Sequence, residues 1–296
     1  MKYATFGKTG LKVSRIALGG MPFGYDNLAR GWRPYTEEGI ETIQATIRAA
    51  LDLGINYFDT APSYGQEWGH SERMFGRALR GGRSRVHIAT KVGCDLNFDA
   101  TIKGVEESLG RLQTDYVDVI QFHGGRYSPA AIDHILNGGA LDALVELRRR
   151  GAARFIGFTA EQAWSALPLI ETGAFDMCQV CYNIICQRVA EEAINLATEK
   201  GMGIAVMRPL ASARFHRILE KLEPRWLEVG GDYELCLKFL LSDSRVHVIN
   251  VGMRWPEEVE KNVRLANGFE PPLDIAGLTG SMLPVYKAED AEMKDR

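Results

Sequence analysis

The sequence predicts an α/β fold, a closed (β/α)8 or TIM barrel preceded by a short N-terminal β-hairpin. Apolar runs of strand length alternate with amphipathic runs of helix length along almost the whole chain of 296 residues. The strand candidates are apolar on both faces, as in parallel strands that helices cover on both sides. Eight strand–helix units occur, which is the number that closes a parallel barrel with right-handed crossovers.

The elements follow in order from the N-terminus. Residues 3–6 and 11–13 flank the turn from Gly7 to Gly10 and form a hairpin that closes the bottom of the barrel. The Gly-Lys-Thr triplet in this turn is not a phosphate-binding loop, because that motif needs a glycine where Lys2 stands. The predicted strands are 13–20, 56–61, 86–92, 117–123, 154–159, 177–182, 203–209 and 246–252. The predicted helices are 36–53, 71–79, 99–112, 141–150, 161–172, 189–200, 233–241 and 256–266.

Composition and charge limit the classes of function. The chain is 46% hydrophobic and 25% charged, with a net charge of −3. These values are typical of a globular protein without a basic surface for nucleic acid. No apolar stretch approaches the roughly 20 residues of a membrane helix, and the first residues lack the apolar core of a signal peptide. We expect a cytoplasmic protein, monomeric or homo-oligomeric, with no nucleic-acid or membrane partner.

No composition shift, linker or low-complexity segment divides the chain. Residues 1–296 are therefore predicted to form a single barrel domain. Residues 271–296 contain Pro, Gly and charged residues with little periodicity. This C-terminal tail is expected either to lie over the barrel mouth or to be disordered.

Two common cofactor motifs are not found in the sequence. Cys178 and Cys181 have the spacing of a metal-binding pair, but residues three apart on a strand point to opposite faces. No metal is therefore expected, and the five cysteines, an odd number in a chain long enough to bury a core, are predicted to be reduced thiols. No Gly-x-Gly-x-x-Gly follows the first strand to open a helix, so any nucleotide must be bound in another way.

Polar residues end three consecutive predicted strands, on the face where barrels of this kind carry their reactive groups. Asp59 lies near the end of the second strand, Lys91 near the end of the third, and His123 at the end of the fourth. Adjacent strands lie about 4.8 Å apart, so the three residues are expected to form one cluster. Tyr64, in the loop after Asp59, folds back over them. Alone, each Lys or Asp at a strand end could be a solvated or structural charge, and the His a core histidine. Their joint occurrence on neighbouring strands favours an active site.

The predicted cluster has the chemistry of a tuned proton donor. A free tyrosine titrates near pH 10, and an ammonium beside its oxygen stabilises the phenolate. Lys91 is expected to lower the pKa of Tyr64 in this way, with Asp59 keeping the lysine charged. His123 adds a hydrogen-bond donor toward an oxygen that gains negative charge. Such a site is suited to protonating an alkoxide.

These residues lie in segments that resemble the aldo-keto reductases. The matching segments are 56–65, 71–72, 89–91, 118–123, 179–183 and 208–210, of which the run from Asp59 to Gly65 is the most specific. The resemblance implies a (β/α)8 oxidoreductase that binds NADPH across the barrel mouth and transfers hydride to a carbonyl. It also implies that Tyr64 is the general acid, Lys91 its tuning partner, Asp59 the counter-ion of the lysine and His123 the donor that orients the carbonyl.

The resemblance also implies cofactor contacts. Gln179 matches the residue that holds the nicotinamide carboxamide, and Asn262 matches a contact to adenine. The other predicted cofactor-binding residues lie at the ends of the seventh and eighth strands or just after them: Met207, Arg208, Pro209, Leu210, Gly252, Arg254 and Glu258.

Three positions depart from the family pattern. Thr159-Ala160 stands where relatives often have Ser-Asn, so one hydrogen bond to the carboxamide is expected to be missing. Arg208 stands beside the place of a stacking aromatic and is expected to reach the pyrophosphate. Arg254 is the candidate partner for a 2′-phosphate, whereas Glu258 nearby would repel it. The balance predicts NADP(H) over NAD(H).

The resemblance implies a small-molecule carbonyl or alcohol as substrate, and the sequence does not select one. Loops at the predicted mouth carry Met21, Tyr25, Trp32 and Trp68, which are candidates for an apolar and aromatic substrate pocket. Arg126, in the loop after the fourth strand, either places a cation near an acidic substrate or lies on a solvated loop.

Two alternative functions are compatible with the same residues. A barrel that binds NADPH and reports redox state to a partner would keep the four site residues with little turnover. A phosphosugar isomerase or aldolase would use Lys91 as a Schiff-base nucleophile. Turnover of generic carbonyls distinguishes the first alternative, and borohydride trapping on Lys91 distinguishes the second.

Overall fold

The strands of the computed structural model follow the predicted order, and the structure describes residues 1–222 and 231–273. The strands are β1 (Tyr3–Thr5), β2 (Lys12–Ser14), β3 (Ile16–Gly19), β4 (Tyr57–Asp59), β5 (His87–Gly93), β6 (Val117–His123), β7 (Ala153–Ala160), β8 (Met177–Cys181), β9 (Gly203–Met207) and β10 (Val248–Gly252). Strands β3 to β10 pair in parallel, and β10 pairs with both β9 and β3. The predicted (β/α)8 barrel is confirmed.

The helices of the described residues lie between these strands and after the last one. They are α1 (Glu37–Asp52), α2 (His70–Ala78), α3 (Phe98–Leu112), α4 (Pro129–Asn137), α5 (Ala140–Arg149), α6 (Leu167–Glu171), α7 (Arg188–Glu199), α8 (Arg214–Leu222), α9 (Asp232–Ser242) and α10 (Pro256–Gly268). The predicted tail lies outside the described residues from position 274 onward.

The N-terminal hairpin closes the bottom of the barrel, as predicted. Strands β1 and β2 pair antiparallel, and Phe6, Leu11 and Val13 join the apolar cluster inside the barrel. Phe6 packs edge-on against Tyr57 with ring centroids 5.5 Å apart. Gly7 has φ +50°, and a Cβ there would lie 2.4 Å from the backbone of β9, so only glycine lets the turn come this close.

Two predicted elements differ in the structure, and two helices, α4 and α8, were not predicted. The predicted strand 13–20 is divided at Arg15 into a hairpin strand and a barrel strand, because the chain changes partners there. The predicted helix 161–172 is a 3-10 turn followed by the short α6. Helix α4 was not predicted, although Ser128 accepts a hydrogen bond from the Ala131 amide and Pro129 occupies the first turn, which are helix-start signals.

No helix in residues 1–222 or 231–273 is long and apolar enough to cross a membrane. Within the same residues, no group of three or more His, Cys, Asp or Glu side chains could hold a metal ion.

Candidate active site

The site is built on a buried ion pair at the carboxyl ends of β4 and β5. Lys91 Nζ donates hydrogen bonds of 2.7 Å to Asp59 Oδ1 and of 2.7 Å to the Thr60 carbonyl oxygen. Both members of the pair are almost fully buried. Burial lowers the pKa of Lys91, but the Asp59 carboxylate and the Tyr64 phenol together outweigh burial, so the pKa is raised. Lys91 is therefore an ammonium at neutral pH.

Tyr64 lies beside this ion pair. Lys91 Nζ is 4.6 Å from the centroid of the Tyr64 ring, and that ring packs edge-on against His123 with centroids 5.8 Å apart. The four side chains that the sequence selects, those of Asp59, Tyr64, Lys91 and His123, therefore occupy one site at the barrel mouth.

The net pKa shift of Tyr64 is opposite to the expected one. Burial raises the pKa of the Tyr64 phenol, and the Lys91 charge lowers it by less, so the pKa lies above its ordinary value. The expectation of a phenol made more acidic is wrong, because removing water from the oxygen destabilises the phenolate more than the ammonium stabilises it. Tyr64 is protonated at neutral pH, which is the form that a proton donor needs.

His123 is a neutral imidazole at pH 7. Burial and the nearby Lys91 charge lower the pKa of His123 to about 4. Its Nδ1 lies 3.3 Å from the Ser63 hydroxyl oxygen, within hydrogen-bond distance. A neutral imidazole has one donor and one acceptor nitrogen, so His123 can donate to a substrate oxygen without adding a second positive charge beside Lys91.

One buried residue, Gln121, belongs to the site although it was not predicted as a site residue; it lies in the matching segment 118–123. Gln121 Nε2 donates to Asp59 Oδ2 at 3.2 Å, and the side chain is fully buried. Gln121 pairs directly with Lys91 in the register of β5 and β6. A sequence signal for it exists, because a polar residue interrupts an apolar strand two positions before His123 and so shares its strand face.

A second charged network supports the strand that carries Lys91. Thr90 Oγ1 donates to Glu72 Oε1 at 2.6 Å, and Arg111 Nε donates to Glu72 Oε2 at 2.6 Å. Glu72 is fully buried on α2. The network joins α2 and α3 to β5 directly behind the ion pair, which gives the 71–72 and 89–91 segments a shared structural role.

The residues around β8 suit a nicotinamide carboxamide. Gln179 is 1% exposed, and its Oε1 has no hydrogen-bond partner among the described residues. A buried carbonyl oxygen without a donor is unfavourable by about 1–3 kcal/mol. A carboxamide NH2 group is such a donor, so Gln179 fits the cofactor that the resemblance implies.

Asn183 and Thr159 hold loops at the mouth. Asn183 Nδ2 donates to the Arg208 carbonyl oxygen at 3.0 Å. Asn183 Oδ1 accepts hydrogen bonds of 3.0 Å from the backbone amides of Ile185 and Cys186. The Thr159 hydroxyl donates to the Gly124 carbonyl oxygen at 2.9 Å and accepts from the Gly124 amide at 3.0 Å. Thr159 therefore fixes the loop that follows His123, and Ala160 beside it has no polar side-chain atom.

The predicted cofactor residues after β9 lie together at the strand end. Met207 is half-buried, Pro209 is buried and Leu210 is half-buried. The exposed Arg208 side chain forms a salt bridge with Glu161. Contact between Arg208 and a pyrophosphate stays a prediction, and it requires the guanidinium to exchange Glu161 for phosphate.

The predicted cofactor residues of the last unit lie between β10 and α10. Gly252 ends β10 and is exposed, and Asn262 is half-buried on α10. The Arg254 amide donates to Glu258 Oε2 at 2.7 Å, and the Arg254 carbonyl oxygen accepts from the Thr46 hydroxyl at 2.9 Å. Arg254 Nε is buried without a hydrogen-bond partner among the described residues, so this guanidinium retains a donor for an anion.

Of the predicted substrate residues, four are exposed and one, Trp32, is buried. Met21, Tyr25 and Trp68 are 54%, 38% and 63% exposed, and Arg126 is exposed. Trp32 is only 2% exposed, because its indole nitrogen donates to the Pro22 carbonyl oxygen in the first loop and its ring packs edge-on against Trp255. Trp32 therefore supports the loop, and the prediction that it faces a pocket requires correction.

The Tyr25 hydroxyl donates to the Ser63 carbonyl oxygen at 2.8 Å. This bond ties the first loop to the segment that carries Tyr64.

The mouth of the parallel barrel thus carries a buried lysine–aspartate pair, a phenol and an imidazole in one place. The sequence profile of the Aldo/keto reductase family matches residues 15–224. The chain belongs to the aldo/keto reductase family.

Relatives of known sequence and structure match most of the chain. L-galactose dehydrogenase from Arabidopsis thaliana is 29% identical over 295 residues, covering 89% of this chain and 88% of that protein. L-glyceraldehyde 3-phosphate reductase from Escherichia coli K12 is 25% identical over 323 residues, covering 91% and 88%. The holo form of aldo-keto reductase AKR11C1 from Bacillus halodurans has a TM-score of 0.76 at 26% identity and covers 92% of each chain.

Proposed function

We propose that the protein interconverts a carbonyl compound, an aldehyde or ketone, and the corresponding alcohol, with NADP(H) as the cofactor and Tyr64 as the general acid and base. The observation that carries this proposal is the position of Tyr64 beside the Lys91 ammonium, which Asp59 holds by a 2.7 Å hydrogen bond. His123 packs against the same phenol.

The bound cofactor supplies the hydride, and the residues of this chain manage the proton. Tyr64 holds a proton until negative charge develops on the substrate oxygen. Lys91 then stabilises the phenolate that forms when Tyr64 donates, because the ammonium is already in place. Asp59 and Gln121 hold the lysine position, and neutral His123 donates a hydrogen bond to the same substrate oxygen.

NADP(H) is favoured over NAD(H) by the residues that follow β10. Arg254 has a buried Nε without a partner among the described residues, and burial lowers the pKa of its guanidinium. A 2′-phosphate would return hydrogen bonds and negative charge to this group. Gln179 provides the matching acceptor for the carboxamide at the other end of the cofactor.

The Schiff-base alternative is disfavoured by the state of Lys91. An imine-forming lysine attacks as a neutral amine, which requires a lowered pKa. The pKa of Lys91 is instead raised, and its Nζ bonds two oxygens in the interior. Borohydride trapping of a carbonyl compound on Lys91 would contradict this interpretation.

The experiment is a screen of carbonyls and alcohols with NADPH, NADH and their oxidised forms, run in parallel on wild type and Tyr64→Phe. The panel includes hydroxylated aldehydes and sugars, because two relatives have such compounds in their names. We expect Tyr64→Phe to lose most of the turnover with cofactor affinity nearly unchanged, since only the proton source is removed. Tyr3→Phe is the matched control, because its hydroxyl bonds Gly54 on the hairpin, far from the mouth in the fold.

Three results would contradict the proposal. Wild-type turnover in Tyr64→Phe would remove this tyrosine from the mechanism. A preference for NADH would contradict the assignment of Arg254. Tight NADPH binding without turnover of any compound in the panel would favour the redox sensor.

A further inference from the structure

The loop after β3 is fastened to the start of α10 by aromatic and charged contacts. The Arg30 guanidinium lies 4.5 Å from the centroid of the Trp255 ring, and Arg30 Nη2 is 2.8 Å from Glu258 Oε1. Trp32 packs edge-on against the same Trp255 ring with centroids 5.4 Å apart. The stacked ring restricts the Arg30 side chain, so this ion pair is better defined than an ordinary surface pair.

Both oxygens of Glu258 are engaged in this arrangement. Oε1 accepts from Arg30, and Oε2 accepts from the backbone amide of Arg254 at 2.7 Å. The Arg254 guanidinium, in contrast, has a buried Nε without a partner among the described residues. Glu258 is therefore held by Arg30 and by a backbone amide, and the Arg254 side chain keeps its donor.

We propose that Arg30 is a cofactor-specificity residue, which neutralises Glu258 so that the Arg254 side chain can bind the 2′-phosphate of NADP(H). The inference rests on the proposed function, and it reverses the sequence-based expectation that Glu258 simply repels this phosphate.

The charges support this assignment. Without Arg30, one carboxylate and one guanidinium remain beside the 2′-phosphate, and the carboxylate competes with the phosphate for Arg254. With Arg30, two guanidiniums face one carboxylate, which leaves a net positive charge of one for the phosphate. NADH carries no 2′-phosphate, so its binding does not depend on this balance.

A double-mutant cycle of Arg30→Ala and Glu258→Gln tests the inference by calorimetric titration with NADPH, NADH and adenosine 2′-monophosphate. Gln at position 258 keeps an oxygen for the Arg254 amide and removes only the charge. We expect Arg30→Ala to raise the Kd for NADPH about tenfold, equivalent to about 1.4 kcal/mol, and the Kd for NADH less than about twofold. In the Glu258→Gln background, the same substitution should change the Kd for NADPH less than about twofold. Arg149→Ala, which removes an ion pair with Glu146 on α5, is the matched control.

Several results would overturn the inference. An equal loss of NADPH and NADH affinity in Arg30→Ala would mean that Arg30 only shapes the loop. An undiminished loss in the Glu258→Gln background would mean that Arg30 acts independently of this carboxylate. If wild type binds NADH as tightly as NADPH and does not bind adenosine 2′-monophosphate, the proposed cofactor fails as well. If wild type prefers NADPH but the double-mutant cycle shows no coupling between Arg30 and Glu258, the role of Arg30 is overturned and the proposed cofactor is not.

Discussion

Two buried carboxylates at opposite ends of the barrel are held in different ways. Asp118, at the start of β6, accepts bonds from Arg83 at 2.8 Å and the Ile88 amide at 3.0 Å on one oxygen. Its other oxygen accepts from Arg154 at 2.7 Å and lies 3.3 Å from His87 Nδ1. Burial raises the pKa of Asp118, but His87 and Arg83 outweigh burial, so the pKa is lowered to about 2.

Asp59, at the end of β4, has one cationic partner and one amide partner, Lys91 and Gln121. The buried amide oxygens of Gln121 on β6 and of Gln179 on β8 have no hydrogen-bond partner among the described residues. The lower carboxylate is surrounded by donors that stabilise the fold, whereas the upper one belongs to a site with hydrogen-bonding capacity left for a ligand. Charge at the bottom is therefore expected to determine stability, and charge at the mouth to determine rate.

The strongest test of this comparison is the double variant Asp59→Asn with Lys91→Met. Replacing a buried ion pair by uncharged groups of similar volume often leaves stability unchanged or raises it by about 1–4 kcal/mol. Asp59→Asn alone leaves an unpaired buried ammonium and should be destabilising by about 3–5 kcal/mol. We expect the double variant to keep its Tm and to lose about 10³-fold in kcat, because the phenolate of Tyr64 is no longer stabilised. Calorimetry and steady-state kinetics measure the two effects.

A fall in Tm of the double variant as large as that of Asp59→Asn alone would show that the pair holds the fold together. Turnover close to that of wild type would show that the ammonium is dispensable.

Asp118→Asn tests the other end of the barrel. Its folded pKa of about 2 lies below the unfolded value of 3.8, so the ionised carboxylate stabilises the fold by about 2 kcal/mol above pH 4. This contribution is lost as the pH falls through about 2. We expect urea unfolding at pH 7 to show a loss of about 2 kcal/mol in the variant, with kcat nearly unchanged. A large fall in kcat with unaltered stability would reverse the assignment of the two ends.

The sequence predicted the barrel and the four side chains at its mouth because both depend on local signals. A hydrophobic period identifies a strand, and a polar residue at the strand end identifies the reactive face, which is how Asp59 and His123 were found. The pKa direction of Tyr64 was predicted wrongly because it is a difference between two opposing effects, burial and the Lys91 charge, and only the structure gives the extent of burial.

Trp32 and Glu258 show a second limit of the sequence. Both lie in segments that the sequence places at the mouth, but what each side chain contacts depends on the path of the first loop. That loop buries Trp32 and brings Arg30 to Glu258 from a position 228 residues away in the chain. No periodicity or motif encodes such a contact.

His123 provides an effect of similar size in a defined pH range. Its folded pKa of about 4 lies below the unfolded value of 6.5, so the unfolded chain binds an additional proton between these values. The stability contributed by neutral His123 is present above pH 6.5 and is lost progressively as the pH falls toward 4. We expect wild type to lose about 2 kcal/mol more than His123→Gln between pH 7 and pH 5 in urea unfolding. Parallel pH dependences of the two proteins would contradict the buried, neutral state of this histidine.

Gln121→Leu should have the smallest effect on stability and still reveal the function of the mouth. The substitution removes a hydrogen bond to a charged group, worth about 1.5–3 kcal/mol, but it also removes a buried Oε1 that has no partner among the described residues, which is unfavourable by about 1–3 kcal/mol. The two effects nearly cancel, so we expect the free energy of unfolding to change by less than about 1 kcal/mol. The rate should still fall about five-fold, since Asp59 loses its second anchor and Lys91 is held less firmly beside Tyr64.

Gln121→Glu places a second carboxylate against Asp59, and it should reduce both stability and rate. A Leu variant with full activity and an unchanged pH profile would mean that Lys91 alone fixes the position of Asp59.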